Sequence, residues 1–490
     1  MSRKAGILLP IFSLPSHYGI GTLGQEAYSW IDFLHSAHQK LWQVLPVGPT
    51  SYGDSPYQSF SAFAGNPYFI DLDFLCAQNL LTQEECESVR WEYLPEKIEY
   101  KILYDNRFTL LRKAYERYAD KNALAAFMEQ NAWVNDYALF MAIKDSQSGK
   151  SWQEWPEALR NRDPEAIANA AETYHDDVLF YAFLQKIFFE QWGQLKEYAN
   201  GKDVQLVGDI PIYVAMDSAD VWAHQEYFNL DADGYPTEVA GCPPDAFSAT
   251  GQLWGNPTYR WDVLREQNYS WWLERLSMSF KLFGYVRIDH FRGFESYYAI
   301  PAQDKTAENG CWRPGPDKDF IRAIKETFDN PHIIAEDLGF LTEEVKELLK
   351  VSGFPGMKIL QFAFDVREPS NYLPHTYEKN CVVYTGTHDN DTLHGWTKSA
   401  CPEDVQYACR YIDYSPDRGS LERQLIRTAL ASVGDTVIIP MQDWLELGTE
   451  ARINEPSTLG KNWLWRMNND AYTTALASEI AELTDLYARY

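Results

Sequence analysis

The sequence predicts an α/β protein, a (β/α)8 TIM barrel with large insertions between its strands. Eight short apolar runs recur along the 490 residues without alternating polar and apolar positions, which is typical of strands buried on both faces. Helical patterns separate many of the runs, and alternating strands and helices favour a parallel sheet. Eight such strands suggest a closed barrel, which we expect to form a single unit over residues 1–490.

The strand and helix signals follow one another along most of the chain. We predict strands at residues 5–9, 41–47, 205–213, 285–291, 332–338, 357–364, 381–387 and 436–441. Helical periodicity is clear at residues 26–37, 270–283, 319–328 and 420–431. Residues 442–490 end in a further helical pattern at 471–487, so no C-terminal β-sandwich domain is expected.

Two intervals between predicted strands are too long for a simple repeat. Residues 76–203 are charged, rich in aromatics and mainly helical in pattern, and we expect an inserted helical subdomain there. Residues 215–269 are rich in Pro, Gly and Trp and have little periodicity, so we expect a loop-rich insertion over the barrel mouth. Loops of that length inside a compact domain are usually functional or disordered, and the aromatic content argues against disorder.

Composition limits the classes of partner that the protein is expected to bind and indicates its cellular compartment. The net charge of −27, from 43 basic and 70 acidic residues, repels nucleic acid and anionic membranes. The seven cysteines include no CxxC pair, so neither a disulfide framework nor a zinc site is expected. The first apolar run is too short for a signal peptide or membrane span, which favours a cytoplasmic location. No nucleotide-binding motif is present, and we expect no cofactor.

Acidic side chains lie at the ends of the fourth and fifth predicted strands, where barrels of this type carry out chemistry. Period two places Arg287 and Asp289 on one side of the fourth strand, and a guanidinium favours the ionised carboxylate that a glycosidase nucleophile needs. Glu336 follows three apolar residues, and desolvation raises a carboxyl pKa, as a general acid requires. Considered alone, Arg287 and Asp289 could instead be a structural ion pair, and Glu336 could be an ordinary carboxylate at the barrel rim.

Two further strand ends carry polar groups. The seventh offers His388 and Asp389 for hydrogen bonds to sugar hydroxyls, and the third contributes Asp209. Metal ligation is the alternative for His388 and Asp389, but no partner histidine lies at ligand spacing. Acids at several strand ends favour glycoside chemistry, because two carboxylates about 5 Å apart support a retaining mechanism. A third carboxylate stabilises the positive charge of the transition state.

Aromatic residues outside helical patterns support a sugar ligand, because pyranose rings stack their C–H faces on Trp and Tyr. Tyr52, Tyr57, Phe60 and Phe63 cluster in the segment TSYGDSPYQSFSAFAGNP. Trp254 lies in PPDAFSATGQLWGNPTYRW, where Gly and Pro surround it. We therefore expect these two segments to contact the substrate.

With these residues assembled, the chain resembles the amylomaltases, or 4-α-glucanotransferases, of glycoside hydrolase family 77 in the α-amylase superfamily. The likeness runs nearly end to end. The matching segments, in the expected order, are PIFSLPSHYGIGTLG, YGDSPYQSFSAFAGNP, GDIPIYV, PPDAFSATGQLWGNP, RIDHFRG, AEDLG, FPGMKILQFAFD and THDND. The loop from PPD to WGNP is the most specific, because ordinary amylases lack it.

The resemblance implies a role for each candidate residue. Asp289 would be the nucleophile, Glu336 the general acid/base and Asp389 the transition-state stabiliser. The residues implied to bind substrate are Tyr57, Asp209, Trp254, Asn256, Arg287, His290, His388 and Asn390. Tyr52 matches a position associated with a second, remote glucan contact. The segment ARINEPSTLGKNWLWR departs from the family pattern, in which Gly would follow the Pro.

The activity implied is transfer of an α-1,4-glucan segment to the 4-hydroxyl of an acceptor, through a covalent glycosyl-enzyme on Asp289. Maltooligosaccharides and linear α-1,4-glucans would be the substrates and glucose an acceptor, without metal. The carboxylates cannot distinguish transfer from hydrolysis, and a loop that excludes water favours transfer. A retaining α-glucan hydrolase or debranching enzyme is the alternative. A non-catalytic glucan-binding protein would lack at least one of the three acids.

Overall fold

A computed structural model describes residues 3–244, 248–339, 341–367 and 370–490. The strands in these residues are β1 Lys4–Leu8, β2 Leu41–Gln43, β3 Gln205–Pro211, β4 Glu238–Cys242, β5 Gln252–Pro257, β6 Tyr285–Asp289, β7 Ser296–Pro301, β8 Cys311–Pro314, β9 Ile333–Ala335, β10 Gly356–Ile359, β11 Cys381–Tyr384 and β12 Thr436–Pro440. They form two separate sheets, one of eight strands and one of four.

Helices connect and surround the strands. In chain order they are α1 Gln25–Ser36, α2 Leu72–Ala77, α3 Gln83–Glu87, α4 Tyr100–Arg117, α5 Lys121–Gln130, α6 Trp133–Ser146, α7 Glu157–Arg160, α8 Pro164–Thr173, α9 His175–Gly201, α10 Ala219–Ala223, α11 Trp261–Glu266, α12 Ser270–Leu282, α13 Asp317–Thr327, α14 Glu343–Ser352, α15 Leu393–Ser399, α16 Pro402–Tyr411, α17 Leu421–Ala431, α18 Met441–Trp444 and α19 Thr474–Leu486. Local signals set their ends. For α14, Thr342 Oγ1 accepts a hydrogen bond from the amide of Val345, and Gly353 ends the helix at φ 70°.

The larger sheet contains the eight predicted strands, all parallel, in the order β10-β11-β12-β1-β2-β3-β6-β9. The amide of Ala335 on β9 donates to the carbonyl of Pro355, the residue before β10, at 2.9 Å. This contact brings the two outer strands together, and the sheet forms a nearly closed barrel. The predicted barrel fold is therefore confirmed.

The barrel strands are apolar throughout because each is buried on both faces. Leu8, Val207 and Ile438 pack inside the barrel, while their neighbours Ile7 and Leu206 pack outside against the helices. Several apolar runs extend beyond their strands. The run at 357–364 contains β10 and then a 3-10 helix, Leu360–Phe364. Burial continues through both elements, so apolar character does not mark where the strand ends.

The register of the barrel brings polar residues together at the carboxyl ends of its strands. On β3 and β6, Asp209 lies opposite Arg287 and Pro211 lies opposite Asp289. β9 follows β6 in the sheet, with Ala335 opposite Ile288. The end of β9 therefore places Glu336 beside the end of β6.

Between β2 and β3 the chain folds mainly into helices, α2 to α9. The longest, α9, has 27 residues and contacts α1, α6 and β3, so it joins these helices to the barrel wall. The assignment of residues 76–203 as an inserted subdomain remains a prediction.

The smaller sheet is antiparallel, in the order β5-β4-β7-β8, and sequence patterns did not predict it. Its strands have four to six residues and lack clear alternation, which hides them from a periodicity argument. Trp254, expected in a loop, lies on β5. β7 and β8 lie beyond residue 269, where the insertion was expected to end.

Three classes of feature are absent from the described residues. All seven cysteines are described, and none forms a disulfide. In the described ranges, no cluster of three or more His, Cys, Asp or Glu side chains is placed to hold a metal ion. No helix in the part of the chain that the structure describes has the length and apolar character needed to cross a membrane.

Candidate active site

Arg287 holds two carboxylates at the ends of β3 and β6. Its Nη1 donates to both oxygens of Asp209, at 2.7 and 2.6 Å, and its Nη2 donates to Asp289 Oδ1 at 2.8 Å. The side chains of Arg287 and Asp209 are buried, whereas that of Asp289 is 30% exposed. Burial alone would lower the pKa of Arg287, but the charges of Asp209 and Asp289 raise it well above its usual value. The arginine therefore stays charged and fixes the orientation of the Asp289 carboxylate.

Glu336 lies on the next strand end in different surroundings. The backbone amides of His290 and Leu338 donate to its two carboxyl oxygens, each at 2.7 Å. Burial raises the pKa of Glu336 from 4.5 to about 7, and the negative charge of Asp289 contributes to the rise. Glu336 can therefore carry a proton near neutral pH, as a general acid must.

The backbone also links these two carboxyl groups. The amide of Phe291 donates to the carbonyl of Glu336 at 3.0 Å, and the amide of Glu336 donates to the carbonyl of Ile288 at 3.1 Å. The segment that carries Asp289 is thus tied to Glu336 from both sides. Because Asp289 and Glu336 are held in fixed relative positions, both carboxyl groups can act on the same bond of a substrate.

A second cluster lies at the end of β11. The ring of Tyr57 stacks on His388, with centroids 5.1 Å apart and planes 19° apart, and its hydroxyl donates to Asp209 Oδ2 at 2.9 Å. His388 Nε2 lies 3.3 Å from Asp389 Oδ1. Burial raises the pKa of Tyr57 well above its usual value, so the phenol remains a hydrogen-bond donor. One network therefore connects Asp289, through Arg287 and Asp209, to this cluster.

Three residues of this cluster were missed from the sequence. Asn454 Nδ2 donates to Asp389 Oδ1 at 2.6 Å, and Arg452 Nη2 donates to the backbone carbonyl of Asp389 at 2.6 Å. Trp463 packs near Tyr57, with ring centroids 5.8 Å apart. All three follow β12 in ARINEPSTLGKNWLWR, which drew attention only as a departure from the family pattern. Examining the residues after every barrel strand, including the eighth, would have found them.

Trp254 and His290 lie beside Glu336. Their rings meet edge to face with centroids 4.8 Å apart. His290 has a backbone φ of 57°, a region that residues other than glycine rarely adopt and that often marks functional sites. Burial lowers the pKa of its imidazole to about 4, so the ring is neutral at pH 7. Its Nε2 is buried and has no hydrogen-bond partner among the described residues, which leaves it available to a ligand.

The remaining predicted binding residues have mainly structural contacts. Asn256 Nδ2 donates to the carbonyl of Val214 at 2.8 Å, and its Oδ1 accepts from Gln58 at 3.2 Å. Asn390 Oδ1 accepts from the amide of Thr387 at 2.8 Å and so holds the turn after β11. The side chain of Tyr52 lies outside the described residues. Substrate contacts by these three residues stay predictions.

The site therefore combines a fixed, partly exposed carboxylate, a buried carboxyl with a raised pKa and a third carboxylate held by an amide. In the described ranges, no metal cluster accompanies them. Such a set can form a covalent bond to a sugar, donate a proton to its leaving group and stabilise positive charge between the two.

Comparison with known proteins gives consistent matches over the whole chain. A family model described as 4-alpha-glucanotransferase matches residues 9–473. The 4-alpha-glucanotransferase of Clostridium butyricum is 49% identical over 484 residues, 98% of this chain and 99% of that protein. That of Thermus thermophilus is 46% identical over 484 residues, 95% of each. The structure of an amylomaltase from Streptococcus agalactiae in complex with acarbose is 41% identical, with a TM-score of 0.97 over 99% of both chains. An amylomaltase from Corynebacterium glutamicum, 18% identical, shares the fold at a TM-score of 0.77 over 99% of this chain and 74% of that one.

Proposed function

Because the chain belongs to the 4-alpha-glucanotransferase family and is an enzyme of that type, we propose that Asp289 and Glu336 transfer glucan segments by a retaining double displacement. One observation carries the proposal. Two carboxyl groups on adjacent strand ends have contrasting surroundings, since Arg287 donates to Asp289 at 2.8 Å while burial raises the pKa of Glu336 to about 7. These are the surroundings that a nucleophile and a general acid need.

In the first step, Asp289 attacks the anomeric carbon of the donor glucan. Arg287 donates to Oδ1, which directs Oδ2 to the sugar. Glu336 gives its proton to the glycosidic oxygen as the bond from that oxygen to the anomeric carbon breaks. The products are a covalent glycosyl-enzyme and a shortened glucan with a free 4-hydroxyl.

The cluster around Tyr57 binds the donor sugar during this step. Tyr57 and His388 offer a stacked surface, and Asp389 offers a carboxylate whose side chain is 43% exposed. Asn454 fixes Asp389 Oδ1 at 2.6 Å, so the carboxylate is oriented before the substrate arrives. A preorganised negative charge stabilises the oxocarbenium-like transition state with little rearrangement.

In the second step, the 4-hydroxyl of an acceptor attacks the same carbon. Glu336, now ionised, takes the proton of that hydroxyl as the bond to Asp289 breaks, and the configuration at the anomeric carbon is retained. Trp254 and the neutral His290 lie beside Glu336, where an acceptor sugar must sit. A sugar held there competes with water because it is already positioned for attack.

We further propose maltooligosaccharides and linear α-1,4-glucans as substrates, glucose as an acceptor and the cytoplasm as the location. The acarbose complex of the related amylomaltase supports an oligosaccharide ligand. The seven thiols, none in a disulfide, support a reducing compartment. The net charge of −27 argues against nucleic acid as a partner.

The test is to trap the glycosyl-enzyme. The Glu336→Gln variant is incubated with α-maltosyl fluoride, because fluoride leaves without protonation. We expect a maltosyl adduct that peptide mass spectrometry locates on Asp289, since the variant lacks the base for the second step. The double variant that also carries Asp289→Asn is the control and should form no adduct. An adduct on another residue, or adduct formation in the control, would contradict the assignment.

A further inference from the structure

One tryptophan stands apart from the others in its exposure. All seventeen lie in the described residues, and sixteen are buried or half-buried. Trp312 is 44% exposed. An exposed indole offers an apolar face on which a pyranose ring can stack, because covering that face would remove it from water. Trp312 was not singled out from the sequence, and none of the steps proposed above uses it.

Trp312 is nevertheless held in a defined position. It lies on β8, an edge strand of the smaller sheet whose four residues are all exposed. Across the sheet it pairs with Tyr298, and the two rings meet with centroids 5.3 Å apart. The guanidinium carbon of Arg292 lies over the indole, 4.1 Å from its centroid. A ring braced by a second ring and a cation can receive a ligand at a small cost in conformational entropy.

Arg292 connects this ring to the acid/base wall of the site. It lies in the 3-10 helix Phe291–Phe294, directly after His290. The amides of His290 and Phe291 donate to the side chain and backbone of Glu336, at 2.7 and 3.0 Å. Burial lowers the pKa of Arg292, and the negative charge of Glu336 is among the nearby charges that oppose this shift. Trp312 is therefore linked to the segment around Glu336 through a single side chain, that of Arg292.

The strand order places the two reacting carboxyl groups side by side. Asp209, which anchors Tyr57, lies on β3, and Asp289 lies on the neighbouring β6. Glu336 follows β9, on the far side of β6. Arg292 lies in the segment after β6 that is tied to Glu336, and its guanidinium contacts Trp312. In a glycosidic bond that spans Asp289 and Glu336, the sugar protonated by Glu336 is the leaving group, and the acceptor takes its place.

We propose that Trp312, braced by Arg292, is a stacking platform for a distal glucose unit of the acceptor glucan. The proposal rests on the function proposed above. Trp254 contacts His290 next to Glu336, whereas Trp312 contacts Arg292 and is more exposed than Trp254. We therefore expect a longer maltooligosaccharide to extend over the indole and a single glucose beside Glu336 not to contact it. Trp312 therefore sets how strongly acceptor length improves binding.

The test compares acceptors of increasing length in the variant Trp312→Ala. With α-maltosyl fluoride as donor, acceptor KM and kcat are measured for glucose, maltose, maltotriose and maltotetraose. We expect KM to rise by about 5- to 10-fold for the longest acceptor, which is the order of one aromatic contact, and progressively less for shorter ones. The value of kcat should change by less than about 2-fold, because the reacting groups are intact. Trp312→Phe, which keeps a ring, should restore much of the loss.

The matched control is Tyr93→Ala. Tyr93 is 61% exposed and has the guanidinium of Arg90 4.7 Å from its ring centroid, so its removal deletes a comparable cation–π pair. It should leave every acceptor KM unchanged. Titration of maltoheptaose into Asp289→Asn, with and without Trp312→Leu, reports binding without turnover and covers the case in which Trp312→Ala does not fold; the variant with Leu should bind more weakly.

Two results overturn the proposal. Acceptor KM values of Trp312→Ala that match the wild type at every length would do so, as would an equal rise for glucose and maltotetraose. In both cases the wild-type protein still transfers glucan segments to the acceptor. If the proposed function itself were wrong, the result would differ, because even the wild-type protein would form no maltooligosaccharides longer than its substrate.

Discussion

The raised pKa of Glu336 makes the rate of transfer depend on pH in a defined way. Burial and the charge of Asp289 raise this pKa from 4.5 to about 7, which favours the protonated form by about 3 kcal/mol at about 1.4 kcal/mol per pH unit. The first step consumes that proton. We therefore expect kcat/KM for maltotriose to be steady just below pH 7 and to fall about tenfold per pH unit above it.

The assay is the initial rate of glucose release from maltotriose at low substrate concentration, across roughly pH 5 to 9, which brackets the raised pKa. Glu336→Gln is the control. The kcat/KM of this variant for maltotriose should be about 10²- to 10⁴-fold lower than that of the wild type. Its rate of adduct formation from α-maltosyl fluoride should not fall at alkaline pH, because the titrating group is gone. A wild-type rate that stays constant to about pH 9, or an alkaline limb centred at the ordinary pKa of a glutamate, would refute the reasoning.

The same pKa has a consequence for stability. Folded Glu336 binds its proton more tightly than unfolded Glu336, so its contribution is complete below pH 4.5 and is lost as the pH rises through about 7. Denaturant unfolding should therefore show the wild type losing up to about 3 kcal/mol relative to Glu336→Gln between those pH values. Parallel pH dependence of the two proteins would contradict the buried, coupled environment assigned to Glu336.

Three further substitutions test the site. Asp289→Asn should lower kcat for transfer by on the order of 10⁴-fold or more, measured by product chromatography, because it removes the nucleophile. Asn454→Ala should lower kcat by about 10- to 100-fold with a smaller effect on KM, since Asp389 loses the 2.6 Å hydrogen bond that orients it; equal losses in kcat and in substrate binding would contradict this role. Arg287→Met leaves the buried Asp209 without its cation and should lower the free energy of unfolding by about 3 to 5 kcal/mol in urea titrations.

The barrel could be predicted because its strands obey a simple physical rule. Strands buried on both faces are continuous apolar runs, and all eight runs became neighbours in one parallel sheet. The strand ends could not be predicted in the same way. Leu360–Phe364 is a 3-10 helix that is as apolar as the strand before it, and burial alone does not separate the two. The smaller sheet escaped prediction because its short strands include Gly and Pro and lack alternation.

The candidate site was predictable where side chains follow a strand directly. Arg287 and Asp289 share a side because of the two-residue period of β6, and they contact the same network. Asn454 and Arg452 lie farther from the end of β12, in an irregular segment, and only the folded chain brings them to Asp389. The pKa of Glu336 likewise depends on burial and on a carboxylate from another strand, which sequence spacing does not determine.

The most direct measurement is the product pattern from maltotriose, followed by chromatography against time without added metal or cofactor. Glucose together with a ladder of longer maltooligosaccharides is expected, because an acceptor 4-hydroxyl captures the glycosyl-enzyme on Asp289. The ladder should disappear in Asp289→Asn. Glucose and maltose that accumulate without any longer product would mean that water captures the intermediate, and would contradict transfer as the reaction of this site.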